Sequence, residues 1–155
     1  MINIEEILVA NGITILMMCF LLICRRKNRE ILHMEDKIYD TMVIVNLLGA
    51  LSETIAFMVD GKDLIGGRQI NYIFNSLCFI ETVSIGLMWC LYVELRIYRN
   101  YKRALRRAGV VMIPWIVEVI AVIYNLFGTG VLFKISENNV YQRQAGSIIG
   151  YITLM

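Results

Sequence analysis

The chain has 155 residues, of which 58% are hydrophobic and 18% are charged, and its formal net charge at pH 7 is +2. Soluble globular chains have about 45–50% apolar and about 25% charged residues, so this composition argues against a soluble domain. The charged residues cluster in short blocks that are separated by long apolar runs. We therefore expect an all-α membrane protein, with residues 1–155 forming a single membrane domain.

The first apolar run covers residues 7–24, which is long enough for a short membrane-spanning helix. A signal peptide is the alternative, but it would have a basic leader and a small-residue cleavage site. Here the leader holds two glutamates and no Lys or Arg, and the run ends in Arg25, Arg26 and Lys27. This pattern indicates a retained helix that enters the cytoplasm.

Three further runs are long enough to cross a membrane, and a fifth begins near Ala145. At 1.5 Å per residue the fifth run spans roughly 16 Å, about half of a ~30 Å hydrocarbon core. We therefore expect four complete transmembrane helices and a fifth that is truncated at Met155. The predicted helices after the first cover residues 38–59, 70–95, 109–127 and 145–155.

The basic residues of the loops predict the orientation of the helices. Loops 25–37 and 96–107 hold five and six Lys and Arg residues, whereas loops 60–69 and 128–144 hold two each. Short cytoplasmic loops carry an excess of Lys and Arg. We therefore expect a multi-pass protein of the plasma membrane, with its N-terminus outside and the first two of these loops in the cytoplasm.

Eight basic residues at the cytoplasmic ends are predicted to contact anionic lipid headgroups. Each such contact contributes about 1 kcal/mol near the membrane surface. The basic run at 96–107 would also suit nucleic acid, but it directly follows a membrane helix, so we expect the lipid bilayer as partner and no nucleic acid. The predicted headgroup contacts are Arg25, Arg26, Lys27, Arg99, Lys102, Arg103, Arg106 and Arg107.

Residues 131–143 have a different pattern from the rest of the chain. Within residues 131–135 the odd-numbered side chains are all apolar, and they alternate with Leu132 and Lys134. Asn138 and Asn139 follow at the turn, before a second short arm at residues 140–143. Two such arms around a turn are typical of a β-hairpin. The sequence therefore predicts a short extracellular hairpin, with an irregular loop as the alternative.

Polar side chains inside the predicted helices need a reason, because charge in a membrane is costly. Glu53 and Asn75 lie at nearly the same depth in helices that a short loop joins, so we expect them to face each other. Glu81 and Glu118 lie near the middle of their helices. Pro114 precedes Glu118 by one turn and removes a backbone donor, which predicts a kink.

Two interpretations of these polar residues stay open. They line an intramembrane ligand pocket, or they hydrogen-bond the helices together without a ligand. The candidate pocket residues are Glu53, Asn75, Glu81, Glu118 and Asn125.

The sequence offers no sign of catalytic chemistry. It contains no HExxH, no GxSxG and no phosphate-binding glycine loop. The four cysteines show no zinc-ligand spacing. We therefore expect no catalytic residue, no metal and no cofactor in this chain.

Several segments, taken in chain order, resemble a known family. They are Arg25-Arg26-Lys27, residues 33–37 before the second helix, Asp60-Gly61 after it, Asn71-Tyr72 with Asn75 in the third, Trp89 and Tyr92 before the basic stretch, and the loop 136–143. This pattern resembles the N-terminal multi-helix membrane module of sensory proteins from Firmicutes. In that family the module usually precedes a GGDEF diguanylate cyclase domain, and less often a histidine kinase.

The resemblance implies a sensory input module in a bacterial signal-transduction protein. It would pass an extracellular or intramembrane signal to a cytoplasmic output domain that this chain does not contain, so the chain itself is not expected to be an enzyme. The resemblance further implies a full-length diguanylate cyclase or kinase, a homodimer formed through the output domain, and an unknown small-molecule ligand. The alternatives are a small transporter or membrane enzyme that uses intramembrane carboxylates, and a membrane scaffold subunit.

Overall fold

A computed structural model describes residues 4–27 and 34–148. Four long helices follow one another in this part of the chain. They are α1 (Ile4–Lys27), α2 (Met34–Val59), α3 (Gly67–Tyr98) and α4 (Tyr101–Tyr124). All four are long and apolar enough to cross a membrane, which confirms the four helices predicted from the apolar runs.

The break between α3 and α4 is shorter than the sequence predicts. The loop expected at 96–107 is helical except at Arg99 and Asn100. Arg99 ends α3 in the left-handed conformation, with φ 48°, and the Asn100 side chain accepts a hydrogen bond from the Arg103 backbone N–H at 3.2 Å. Lys and Arg are good helix formers and Asn is a strong N-cap, so the basic stretch extends α4 at its start instead of forming a loop.

Helices that are neighbours in the chain also pack together in space. The contact between α2 and α3 is the most extensive, while α1 lies against α2, and α4 lies against α3. Short connections make successive helices antiparallel, so the bundle has two distinct ends. We call them the basic end, where α1 and α3 finish and α2 and α4 begin, and the hairpin end, where α2 and α4 finish and α3 begins.

The predicted β-hairpin is confirmed. After α4 a π-helical turn at Asn125–Thr129 leads into β1 (Phe133–Ile135), which pairs antiparallel with β2 (Tyr141–Arg143). Phe133 and Ile135 are buried while Lys134 between them is exposed, as expected for alternate faces of a strand. Leu132 and Phe133 pack against Val122 of α4, so the hairpin belongs to the core of the hairpin end.

The predicted fifth helix at residues 145–155 is not shown. Its first residues, Ala145–Ser147, form a short 3₁₀ turn, and residues 149–155 lie outside the described part of the chain.

Candidate functional site

A cavity of ≈ 300 Å³ lies at the hairpin end, between α2, α3, α4 and the hairpin. We call it the hairpin-end cavity. Its wall includes Glu53 of α2, Asn75 and Cys78 of α3, and Glu118 of α4, and strand β2 contributes Arg143. Three of the five residues predicted to form an intramembrane pocket therefore line one cavity.

Glu118 differs from the other polar residues of this cavity. Its side chain is fully buried, and neither carboxylate oxygen has a hydrogen-bond partner among the described residues. Pro114 lies inside the same helix, and α4 continues through it to Tyr124. Buried polar groups are nearly always hydrogen-bonded, so an unpartnered carboxyl calls for a specific explanation.

Glu53 and Asn75 share the hairpin-end cavity but do not need each other for hydrogen bonding. The Asn75 amide donates to the backbone oxygen of Asn71 at 2.8 Å and to its side-chain oxygen at 2.6 Å. Both donated bonds stay within α3. Glu53 is exposed and lines this cavity. The two residues thus contribute separate polar groups to one wall.

Glu81 lines a second cavity of ≈ 310 Å³ between α1, α2 and α3, which we call the central cavity. Its carboxyl lies directly against the backbone of Gly49 in α2. A Cβ added at Gly49 would lie 1.6 Å from Glu81 Oε1. The absence of a side chain at Gly49 therefore creates the space that the Glu81 carboxyl occupies.

Gly49→Ala is expected to lower the free energy of unfolding by about 1–2 kcal/mol, because the new methyl group displaces the Glu81 carboxyl. In a Glu81→Ala background that space is free. There the same substitution should raise the free energy of unfolding by about 0.5–1 kcal/mol, the usual helix gain of Ala over Gly. Denaturant unfolding of the four proteins in micelles measures both signs. Equal effects in the two backgrounds would contradict the contact.

Asn125 lies outside both cavities and holds the base of the hairpin. It is fully buried, and its amide donates to the Tyr72 hydroxyl at 2.9 Å and to the Phe133 backbone oxygen at 3.2 Å. Its side-chain oxygen accepts from the Leu132 N–H at 2.9 Å. The Tyr72 hydroxyl also donates to the Asn125 backbone oxygen. These bonds use the amide of Asn125 to anchor the hairpin on α3 and α4.

The tip of the hairpin is anchored by Asn139, which sequence reasoning treated only as a turn residue. Its amide donates to the backbone oxygens of Val59 at 2.8 Å and Lys62 at 3.0 Å. Its own backbone oxygen accepts from the Gly61 N–H at 2.8 Å, and its side-chain oxygen accepts from Asn71. The hairpin tip is thus fixed to the loop between α2 and α3.

Asp60 completes this anchor from the other side. Its carboxylate accepts the Asn71 amide at 3.0 Å and the Tyr141 backbone N–H at 2.8 Å. Asp60, Asn71 and Tyr141 also line the hairpin-end cavity. The hairpin, which we call the roof of the cavity, is therefore hydrogen-bonded to the end of α2 and to α3.

Several basic residues predicted to contact lipid headgroups form ion pairs. Glu94, which is buried, binds Arg103 at 2.7 Å and Arg107 at 3.0 Å. Arg25 pairs with Asp36 and with Asp40, the latter at 2.6 Å. These pairs connect α3 to α4 and α1 to α2 at the basic end.

The remaining predicted headgroup contacts divide into two groups. Arg99, Lys102 and Arg106 are exposed at the basic end, as a headgroup contact requires. The side chains of Arg26 and Lys27 lie outside the described part of the chain.

Comparison with protein-family models, with curated proteins and with solved structures finds no match for this chain. The class of the protein is therefore defined by its fold and cavities. Four long apolar helices fit a multi-spanning helical protein that is embedded in a membrane. Among the described residues, two cavities with carboxyl groups in their walls lie between these helices, one of them under the hairpin.

Proposed function

We propose that the chain is a membrane-embedded sensory input module that detects a small ligand in the hairpin-end cavity. The observation that carries this proposal is the buried Glu118 carboxyl, which has no partner among the described residues and lies in the wall of that cavity. A polar group left unsatisfied in this way is costly in the free protein and is satisfied by a ligand. The volume of the cavity, ≈ 300 Å³, lies at the lower end of the range for small-molecule sites.

The arrangement of the cavity gives a route for a signal. Its wall comes from α2, α3, α4 and the hairpin, so one ligand contacts four elements at once. A ligand that binds one helix arrangement better than another shifts the population towards it, by no more than the difference in affinity. At the basic end Glu94 ties α3 to α4 through Arg103 and Arg107, so a shift of α4 relative to α2 carries this ion-paired end with it.

In this proposal the signalling output comes from a further domain of the protein. The resemblance to sensory modules of Firmicutes favours a GGDEF diguanylate cyclase or a histidine kinase after Met155, and a homodimer formed through that domain. Reading the gene beyond Met155 tests this directly. A GGDEF or kinase segment agrees with the proposal, whereas a stop codon favours the scaffold subunit.

The sensory role is tested in the full-length protein by Glu118→Gln. We expect the variant to insert into the membrane as the parent does and to lose at least about tenfold in its response to ligand, because the amide does not replace a charged partner. The measurement is cellular cyclic di-GMP for a cyclase, or autophosphorylation for a kinase, across a set of candidate ligands. Glu81→Gln, in the central cavity, is the matched control. A Glu118→Gln protein that folds and responds like the parent contradicts the proposal.

A transporter is the second candidate, and one observation favours it. The two cavities share Glu53, Cys78 and Thr82, so carboxylates extend from the hairpin end towards the centre of the bundle. Ionisable residues inside a membrane often mark ion or substrate pathways. Uptake of a labelled solute by proteoliposomes, abolished by Glu53→Gln, would support transport. Ligand binding without uptake supports the sensor.

Cysteine labelling tests the orientation that this proposal needs. In a background without the four native cysteines, Asp63→Cys is expected to react with an impermeant maleimide in intact cells. Asn28→Cys is expected to react only after permeabilisation, because the basic residues on its side of the membrane predict a cytoplasmic loop. Asp63 is exposed between α2 and α3, and residue 28 lies outside the described residues. Labelling at position 28 from outside would show that the orientation in the membrane is the reverse of the predicted one.

A further inference from the structure

The charges around the hairpin-end cavity are unbalanced. Among the described residues that line it, Glu53, Asp60 and Glu118 carry carboxyl groups, and Arg143 carries a guanidinium. The Asp60 carboxylate is already used by Asn71 and Tyr141, and Arg143 donates to Ser147 at 3.1 Å. These neutral partners leave the charges in place, so three carboxyl groups stand against one guanidinium and the lining favours a ligand of positive charge.

Glu118 makes the position of that charge specific. It is fully buried, and both of its oxygens lack partners in the part of the chain that the structure describes. An ionised carboxylate away from water requires a paired cation or several donors. An ammonium group that carries N–H donors supplies both the charge and the missing hydrogen bonds of Glu118, whereas a quaternary ammonium group supplies the charge alone.

The rest of the lining suits an organic cation better than a metal ion. No cluster of three or more His, Cys, Asp or Glu side chains that could hold a metal exists within the described residues. Instead Phe57, Phe79 and Tyr141 line the cavity. Aromatic faces attract organic cations, ammonium groups in particular.

The aromatic wall is held in place from behind by the hairpin. The rings of Phe79 and Phe133 are stacked with centroids 5.7 Å apart, and Tyr141 lies 5.5 Å from Phe133. Phe133 itself is fully buried. Phe79 and Tyr141 are therefore positioned before a ligand arrives, which reduces the ordering that binding requires.

We infer that the hairpin-end cavity binds a small organic ammonium ion, with its charge against Glu118 and its apolar body against Phe57, Phe79 and Tyr141. This inference rests on the proposed sensory function for its biological use, and binding itself is measured independently of any output. The cavity volume of ≈ 300 Å³ limits the ligand to a small molecule.

The first experiment compares cations with neutral molecules of the same shape. The chain is reconstituted in lipid nanodiscs and titrated calorimetrically with choline and with 2-phenylethylammonium. The matched neutral probes are 3,3-dimethyl-1-butanol, which has a carbon in place of the charged nitrogen of choline, and 2-phenylethanol, which has a hydroxyl group in place of the ammonium group; both keep the shape of the cation. We expect at least one cation to bind at least about tenfold more tightly than its neutral counterpart, because the neutral probe leaves Glu118 without a charged partner.

The native thiol of Cys78 gives a second readout, since it lines the hairpin-end cavity and also the central cavity. With Cys19, Cys24 and Cys90 replaced by Ser, the bound cation is expected to slow modification of Cys78 by a small neutral thiosulfonate. The neutral probe at equal concentration is expected not to slow it. Unchanged protection of Cys78 in Glu81→Gln assigns the effect to the hairpin-end cavity. This measurement needs no change at Glu118, so it remains decisive if a Glu118 variant fails to fold.

Glu118→Gln then assigns the charge contact. We expect about thirtyfold or greater loss of cation affinity, the effect of removing one partner of a buried charge pair. Glu81→Gln, in the central cavity, should bind within about twofold of the parent. The inference is overturned by equal binding of cation and neutral probe, by unchanged affinity in folded Glu118→Gln, or by no binding of either cation up to about 10 mM.

Failure of this inference is distinguishable from failure of the sensory function. If the output of the full-length protein depends on Glu118 and no ammonium ion binds, the ligand class is wrong and the sensor stands. If ammonium ions bind through Glu118 and the output ignores them, the ligand class stands and the sensor is wrong.

Discussion

Replacing Asn139 with alanine is expected to lower the free energy of unfolding by about 2–4 kcal/mol. The side chain is buried, and its amide donates to the backbone oxygens of Val59 and Lys62. Its oxygen also accepts from Asn71 at 3.2 Å. Each buried hydrogen bond contributes about 1 kcal/mol, and the groups left without partners add a desolvation cost.

The backbone of Asn139 adds to this effect and is separable from it. Its φ is 56°, in the left-handed region that Asn tolerates better than Ala does. Asn139→Gly removes the side chain without this strain, so it should lose about 1 kcal/mol less than Asn139→Ala. Asn138, the exposed neighbour in the same turn, is the matched control, and Asn138→Ala should change stability by about 0.5 kcal/mol or less.

Denaturant unfolding in micelles measures all three variants at Asn138 and Asn139. A further readout is the accessibility of Cys78, which should rise in Asn139→Ala because the roof of the cavity loses its attachment to the loop after α2. Equal stability of the alanine variants at 138 and 139 would show that the hairpin tip does not hold the roof.

The positions of the four helices were predictable because a long run of apolar residues is a strong sequence signal for a membrane-spanning helix. All four spans are where their hydrophobic runs predict, and the errors lie at the ends. The largest error is the start of α4 at Tyr101, because a block of Arg and Lys was interpreted as a loop. A block of charged residues shows where the chain leaves the membrane, but it does not show whether the chain there is helical. The break between α3 and α4 lies at Arg99, which has a left-handed conformation, and Asn100, which caps α4.

The hairpin was predictable in kind but not in its attachments. Alternating side chains and the Asn pair are local signals, and they gave the two strands. The bonds from Asn139 to Val59 and Lys62 join residues about eighty positions apart, so local patterns cannot reveal them. The structure is therefore needed to show that Asn139 is buried against residues so distant in the sequence.

The residues of the candidate site could also be predicted only in part from the sequence. Depth along the helices grouped Glu53 and Asn75, and both residues line the hairpin-end cavity. Depth alone did not separate Glu81 from Glu118, because it carries no information on helix rotation. The structure places Glu81 on Gly49 in the central cavity and Glu118 in the wall under the hairpin.

Buried polar residues at the hairpin end fall into two kinds, and the difference has a physical meaning. Asn71, Asn125 and Asn139 have hydrogen-bond partners, and their bonds join the hairpin to the helices. Glu118 has none among the described residues. Satisfied groups specify the fold, whereas an unsatisfied one costs stability, and such costs concentrate at functional sites.

Glu118→Leu is therefore expected to raise the free energy of unfolding of the ligand-free protein by about 1–3 kcal/mol. The substitution removes a buried polar group that lacks a partner, and such groups cost about that amount. Leucine has nearly the same volume and buries apolar surface in its place. Most substitutions in a core lower the free energy of unfolding, so an increase for Glu118→Leu would clearly distinguish this prediction from the usual effect.

Glu81→Leu is the matched control for this prediction. Glu81 lies at a similar depth but is only half-buried beside Gly49 in the central cavity, so its removal gives no comparable gain. Thermal and denaturant unfolding in micelles compare both variants with the parent. The same Glu118→Leu protein should also lose its protection of Cys78 by ammonium ions, which joins the gain in stability to a loss of binding. A Glu118→Leu protein less stable than the parent would mean that the carboxyl is satisfied within the bundle, and the helix-linking interpretation of Glu118 would then replace the ligand site.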